Sequence, residues 1–156
     1  MAVLAYTAPR LVAGARPYPI DDSGKVRVQW GKCTVDTQGD AGSTFTFFRL
    51  PKGRNRILLP FIRVGCSAFG ASRVLKLGHR KYAKASHPTY TEEAEDDDAF
   101  FASLDISGAG ASLTPTALGT KFDIYSQQDV DIFGTVTGGT SPANATLEVL
   151  LPYVAD

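Results

Sequence analysis

The sequence has few of the residues that stabilise small secreted domains or hold metal ions. Its two cysteines, Cys33 and Cys66, are too few and too far apart for a disulfide framework. Its two histidines, His79 and His87, are separated by seven residues, and no CxxC or HExxH spacing occurs. We therefore expect no metal and no cofactor, and we expect both cysteines to be reduced and buried as small apolar side chains.

Long apolar runs are also missing. No run approaches the ~20 residues that cross a bilayer. Residues 1–15 are apolar but lack the basic start of a signal peptide and are interrupted by Pro9 and Arg10. We expect neither a membrane segment nor secretion.

Groupings that would support catalysis are not marked in the sequence. Cys66 with His79 or His87 could form a nucleophile and base, but nothing indicates a helix amino terminus or a basic environment that would stabilise a thiolate. The acidic run at residues 92–98 lacks the offsets of a calcium-binding loop and is more typical of a solvated face. The sequence therefore predicts a protein that is not an enzyme.

Charge is distributed unevenly, although the formal net charge is zero. Residues 41–91 carry ten basic and no acidic side chains, whereas residues 92–156 carry twelve acidic side chains and one basic side chain, Lys121. Two interpretations are open. The two segments can neutralise each other across the folded surface, or they can form opposite charged faces that dock against other copies or an acidic assembly.

Nucleic-acid binding is an alternative explanation of the basic segment. Aromatic residues lie close to it in sequence, which is the mixture that single-strand binders use; they are Phe45, Phe47, Phe48, Phe61 and Tyr82. Against this, the phenylalanines alternate as a core face would, and the pI of about 6.7 is far from a basic footprint. We regard a nucleic-acid partner as unlikely and keep a nucleic-acid or glycan-binding β module as the alternative from another class.

Alternating polar and apolar residues predict strands through most of the chain. The predicted strands are residues 25–30, 44–50, 56–64, 73–77, 121–126, 130–136 and 145–154, with Pro60 forcing a bulge or an edge position in the third. We expect residues 121–126 and 130–136 to form a hairpin. From the central strands we expect Ile57, Leu58, Phe61, Val74 or Leu75, and Leu77 in the core. The spacing of ~8 to 12 residues favours an all-β antiparallel sandwich or jelly roll.

Two segments depart from this pattern. Thr91 can cap a first turn rich in glutamate, and Phe100, Phe101 and Leu104 supply a partial apolar face, so we predict one short helix inserted after residue 91. A wholly solvated acidic loop is the alternative for this segment. Residues 1–23 contain Pro9, Pro17 and Pro19 and predict an extended arm that lies on its own surface or on a neighbour's. The predicted domains are thus an arm at 1–23 and a single β-sandwich at 24–156.

One stretch resembles a known family. Residues 66–82, Cys-Ser-Ala-Phe-Gly-Ala-Ser-Arg-Val-Leu-Lys-Leu-Gly-His-Arg-Lys-Tyr, are similar to a segment of small structural proteins of tailed bacteriophages, and residues 133–147 are similar to the final hairpin of that group. The resemblance covers roughly residues 44–154. It implies a capsid decoration, or cement, protein, a type that is commonly a β-sandwich or jelly roll, often trimeric, and bound to the outer capsid lattice.

The resemblance sets the functional expectation. We expect a structural virion protein, made in the host cytoplasm, that binds the major capsid protein and itself, as a homotrimer, on the outer capsid surface. A tail or fibre component is the alternative within the same class. The residues we expect to contact partners are mostly basic, namely Arg10, Arg16, Tyr18, Arg63, Arg73, His79, Arg80 and Lys81.

Overall fold

The computed structural model describes residues 5–7 as backbone, residues 25–85 and residues 91–155, without the side chains of residues 111 and 112. These residues form fourteen strands and one 3-10 turn, Leu59–Phe61. The strands are β1 Ala5–Thr7, β2 Val26–Thr34, β3 Ser43–Leu50, β4 Gly53–Ile57, β5 Arg63–Cys66, β6 Val74–His79, β7 Tyr82–Ala83, β8 Glu92–Glu93, β9 Asp96–Asp105, β10 Gly110–Leu113, β11 Ala117–Leu118, β12 Asp123–Ser126, β13 Val130–Thr137 and β14 Thr146–Ala155.

Two six-stranded sheets contain most of these strands. Sheet I has the order β1-β3-β13-β6-β9-β11, and sheet II has the order β10-β5-β14-β4-β12, with β2 pairing β14 on its other side. The pairings are antiparallel except that β1 runs parallel to β3. The predicted all-β antiparallel sandwich is confirmed.

The inner faces of both sheets meet in one apolar core. Sheet I contributes aromatic side chains such as Phe45, Phe47 and Phe101, and sheet II contributes Val64 and Tyr153; each of these is at most 1% exposed. Alternation produces this core directly, because every second residue of a strand points to the same face. The longest strands, β9 and β14, each contain ten residues and pair with strands distant in sequence.

The predicted helix after residue 91 is wrong. Residues 92–105 instead form β8 and β9, and β9 pairs with β6 through irregular register, with Leu77 opposite Phe101 but His79 opposite Asp96. These bulges allow Phe100 and Phe101, which are adjacent in sequence, both to be fully buried. The aspartates disfavour a helix, and in β9 two of them form ion pairs with Lys76.

The predicted hairpin of residues 121–126 and 130–136 is also wrong. β12 pairs with β4 in sheet II, whereas β13 pairs with β3 and β6 in sheet I. The short connection therefore carries the chain from one sheet to the other. Both strands still alternate as predicted, since an inward face is required in either sheet.

Pro60 lies in a turn between two strands rather than in a bulge of one strand. The predicted strand at 56–64 is divided by the 3-10 turn into β4 and β5, because proline cannot donate to the sheet ladder. Ile57, Leu75 and Leu77 lie in the core as expected, and Leu58 and Val74 are half-buried. Phe61, which we expected in the core, is 59% exposed because it lies in the turn.

No helix in the described part of the chain is long and apolar enough to cross a membrane.

Candidate interaction surfaces

The basic and acidic segments neutralise each other across the sheets. Six of the ten basic residues in 41–91 form ion pairs with acidic residues of 92–156; they are Arg49, Arg54, Lys76, Arg80, Lys81 and Lys84. Arg49 bonds Asp131 on the neighbouring strand β13 and Arg54 bonds Asp123 on β12. The first interpretation of the charge distribution is thus borne out. Because these ion pairs compensate much of the positive charge of residues 41–91, they argue against this segment as a nucleic-acid-binding surface and as a surface that docks by charge alone.

Arg63 and Arg73 are engaged with backbone carbonyls of their own fold. Arg63 Nη1 donates to the carbonyls of Pro60, at 3.2 Å, and Ile62, at 2.9 Å. Arg73 Nε donates to the Thr140 carbonyl at 3.0 Å and Nη1 to the Ala71 carbonyl at 2.6 Å, so its guanidinium joins two loops. Their predicted contact with a partner stays a prediction.

Arg80 and Lys81 differ in how strongly the fold holds them. Arg80 bonds Glu95 at 2.8 Å, and its guanidinium carbon lies 3.9 Å from the centre of the Phe133 ring, a cation–π contact. Lys81 is an exposed side chain with Glu92 at 3.7 Å. Of the two, only Lys81 can turn toward a partner without breaking a close contact. Arg10, Arg16 and Tyr18 lie outside the described residues.

His79 has no exposed surface with which to reach a partner. Its Nδ1 lies 3.0 Å from the Arg80 carbonyl, and its ring packs edge-on against Tyr82, with centroids 5.1 Å apart. Its Nε2 is buried and has no hydrogen-bond partner within the described structure. Burial lowers the pKa of His79, and nearby Lys121 acts in the same direction. Because it is fully buried, His79 cannot contact a partner in this fold.

Lys84, Glu93 and Lys121 form a small polar cluster near His79. Lys121 Nζ lies 2.7 Å from a Glu93 oxygen, and Lys84 bonds the other oxygen. Hydrogen bonds from these two lysines lower the pKa of Glu93 to about 2. The cluster joins β7, β8 and the segment before β12, so its role is to fix these short elements together.

Both cysteines are buried and free, as predicted. Burial raises the pKa of Cys33 to about 12 and also raises the pKa of Cys66. Thiols with raised pKa values are poor nucleophiles at neutral pH. Cys66 lies in sheet II and His79 in sheet I, so the structure gives no support to a cysteine and histidine pair.

The three aspartates at the start of β9 place carboxylate oxygens within 4.8 Å of one another. Lys76 Nζ lies 3.5 Å from Asp97 and 3.7 Å from Asp98, so an amine from the neighbouring strand already compensates their charge. The arrangement is a solvated ion-pair network rather than a cation site.

The outer face of sheet II carries a surface that sequence reasoning missed. Val26, Val28 and Trp30 point outward from β2 and are 62%, 56% and 43% exposed. The residues opposite them on β14 face the same way but are less exposed: Val154 and Leu150 are half-buried, and Pro152 is buried. We call these six residues the apolar stripe. Alternation in β2 is visible in the sequence, but it does not reveal that Gln29, Gly31 and Cys33 form the buried side.

The outer face of sheet I is different in character. It carries the ion pairs Arg49–Asp131, Lys76–Asp97 and Arg80–Glu95. Among the exposed large apolar side chains of the described structure, only Leu118, on the edge strand β11, belongs to a strand of sheet I. The outer face of sheet II also carries ion pairs, Lys32–Glu148 and Arg54–Asp123, so the two outer faces differ in the apolar stripe rather than in charge. Contiguous exposed apolar surface is typical of a face that another molecule covers.

Comparison with known proteins relates the fold to virus capsids. No family model and no curated protein matches the chain. A chain from the capsid of Ralstonia phage GP4 has a TM-score of 0.71 and 18% identity, with 97% of this chain and 98% of that chain covered. A chain from the capsid asymmetric unit of cyanophage Pam1 has a TM-score of 0.57 and 15% identity, with 91% and 92% covered. The protein shares the fold of these phage capsid chains.

Proposed function

We propose that this protein is a structural component of a phage virion that binds the outer surface of the capsid shell and stabilises it. The observation that supports this most is the likeness over the whole length of the Ralstonia phage GP4 capsid chain. Nearly all of both chains is aligned, so the likeness extends over the whole sandwich and is not limited to a few strands. The role is non-enzymatic.

The two outer faces suit such a role. A protein fixed on a shell needs one face that gains free energy by leaving water and one face that stays hydrated. The apolar stripe supplies the first, at about 25 cal/mol per Å² of apolar surface removed from water. The outer face of sheet I, which carries ion pairs and no apolar stripe, supplies the second. We assign the outer face of sheet II to the contact with the shell and the face of sheet I to solvent.

A homotrimer bound to repeated shell positions completes the proposal. Several copies of a modest contact on one assembly bind more tightly than one copy does, because the later contacts are intramolecular. Partners are thus the major capsid protein and other copies of this chain. The mass of the purified protein in solution tests the trimer separately from the shell contact.

The experiment is cryo-electron microscopy of virions of the phage that encodes this chain. Sandwich-shaped density at regular positions on the outer shell is expected. Density confined to the tail or a fibre would show that the protein is a tail or fibre component and not a shell-binding protein. Absence of the chain from purified virions would reject both of these roles. Affinity for DNA that falls steeply with salt would instead favour a nucleic-acid-binding module.

A further inference from the structure

Phe61 is a large aromatic side chain that the fold leaves in contact with water. It is 59% exposed and ends the 3-10 turn Leu59–Phe61, which connects β4 to β5. Apolar side chains that are exposed singly are common on protein surfaces. The position of Phe61 relative to the apolar stripe therefore decides whether it belongs to a larger contact surface.

Arg63 shows on which side of sheet II the turn lies. Val64 is fully buried, so its neighbour in β5, Arg63, points to the opposite, outer side of the sheet. The Arg63 side chain reaches back to the turn, where Nη1 donates to the Pro60 carbonyl at 3.2 Å and to the Ile62 carbonyl at 2.9 Å. The Pro60 end of the turn is therefore on the outer side of sheet II.

The turn directs Phe61 away from the core. Successive residues of a 3-10 turn are about 120° apart around its axis, because one turn contains 3.0 residues. Leu59 points inward and is 7% exposed, whereas Pro60 and Phe61 are both exposed. Phe61 thus projects from the same outer side as Arg63.

β14 connects the turn to the apolar stripe. Leu58, the residue before the turn, donates its N–H to the carbonyl of Pro152, a member of the stripe, at 3.0 Å. Two residues away in β14, Leu150 lies between Arg63 on one side and Trp30 on the other. Neighbouring strands are about 4.8 Å apart, so the turn begins roughly 10 Å from β2. Phe61 and Trp30 therefore lie on opposite sides of β14.

Hydrogen bonds hold the turn in place. The Phe61 N–H donates to the Leu58 carbonyl at 2.9 Å, and the Ile62 N–H donates to the Leu59 carbonyl at 3.2 Å. Pro60 has a restricted φ angle, and the buried Leu59 side chain fixes the turn to the core. A contact residue that is held in place before binding loses less conformational entropy when it is covered.

We propose that Phe61 is an aromatic anchor of the contact with the shell and that it acts together with Trp30. The proposal rests on the proposed function and adds a residue from outside the apolar stripe. Trp30 is 43% exposed, whereas Leu150 and Pro152 between the two rings are half-buried and buried. The surface of the shell that covers Phe61 is apolar, because aromatic anchors contribute most where water is fully excluded.

Binding of purified variants to particles that lack the wild-type protein tests the proposal. Phe61→Ser should raise the apparent Kd, measured by co-sedimentation, at least tenfold. Phe61→Lys keeps a long side chain but adds a charge, and it should have the same effect even if Phe61→Ser lowers stability. Urea unfolding of each variant shows whether it is folded under the binding conditions.

Phe122→Ser is the matched control. Phe122 is 63% exposed, but it stands two residues before the fully buried Ile124 of β12, so alternation places it on the side opposite to the outer face. Phe122→Ser should bind with the affinity of the wild-type protein.

Two results would overturn the assignment of Phe61 alone. The first is binding of Phe61→Ser and Phe61→Lys with the wild-type Kd, and the second is an equal loss for Phe122→Ser. If the wild-type protein itself does not sediment with the particles, the proposed contact with the shell is wrong and the role of Phe61 fails with it. The wild-type titration thus separates failure of the proposed function from failure of this proposal.

Discussion

Arg54 and Asp123 form a forked ion pair between β4 and β12. Arg54 Nη2 lies 2.7 Å from one carboxylate oxygen of Asp123, and Nε lies 3.0 Å from the same oxygen. The two residues come from the basic and the acidic segments of the chain and are neighbours only because of the sheet register. This pair illustrates how a sequence with separated charges folds into a surface whose charges are largely compensated.

The Arg54–Asp123 pair should make a small, salt-sensitive contribution to stability. Both side chains are partly exposed, so we expect a coupling free energy of about 0.5 to 1 kcal/mol in a double-mutant cycle of Arg54→Ala and Asp123→Ala. The coupling should shrink in 1 M salt, where screening acts within about 3 Å. Urea unfolding of the four proteins measures it. A coupling that salt leaves unchanged would show that the pair is more shielded from water than described.

Gly78→Ala should destabilise the fold strongly. A Cβ at Gly78 would lie 1.8 Å from the Asp96 carbonyl oxygen, where β6 and β9 approach closely. Because the backbone of the neighbouring strand β9 must move to make room for this Cβ, we expect a loss of about 3 kcal/mol in the free energy of unfolding. Gly108→Ala is the control, since nothing lies within 4 Å of its Cβ. A similar loss for both variants would contradict the close approach.

Stability should fall as the pH drops below about 6.5 because of His79. Burial lowers the pKa of His79 in the folded state from its ordinary value of 6.5. The unfolded chain therefore binds a proton at a pH where the folded chain does not, and stability is lost as the pH decreases through this window. The slope reaches at most about 1.4 kcal/mol per pH unit.

Urea unfolding between pH 7 and pH 5 measures this effect. His79→Gln should flatten the profile in that range, whereas His87→Gln, which removes the other histidine, should not. If only His87→Gln flattened the profile, the proton uptake would belong to His87 and not to His79, which would contradict our account. A second loss is expected between about pH 4.5 and pH 2, where the salt-bridged Glu93 carboxylate takes up a proton.

Val28→Glu should weaken binding to the shell without unfolding the protein. The change places a charge in the apolar stripe at a position that is 56% exposed. Ala102→Glu makes a comparable change at an exposed position of β9 in sheet I and should bind normally. The two variants are compared by adding each one to particles that lack the wild-type protein and measuring by co-sedimentation how much of the variant binds. Equal occupancy of both variants would exclude the outer face of sheet II as the contact while leaving a virion role intact.

Sequence patterns predicted the fold class because alternation determines which face of a strand is buried. They did not predict which strands pair. The segments 121–126 and 130–136 alternate well and are separated by three residues, yet the chain changes sheet between them. Local sequence contains no information on whether a short connection closes a hairpin or crosses between sheets.

Most of the predicted contact residues are basic, and the sequence does not show which side chains surround them in the fold. Arg80 is held by Glu95 and Phe133, which are distant in sequence, and His79 is enclosed by strands β6, β7 and β9. The apolar stripe was missed for the opposite reason. Its valines have the appearance of core residues, but the fold places them on the outer face of sheet II, while Gln29, Gly31 and Cys33 of the same strand point inward.

The most direct test of the central claim is the position and orientation of this chain in a cryo-electron microscopy map of its virion. We predict repeated copies on the outside of the shell, with the outer face of sheet II, including Val28 and Trp30, against the shell, and the ion pairs of sheet I facing solvent. A map that has the chain only in the tail, or no density for it on the shell, would contradict the account.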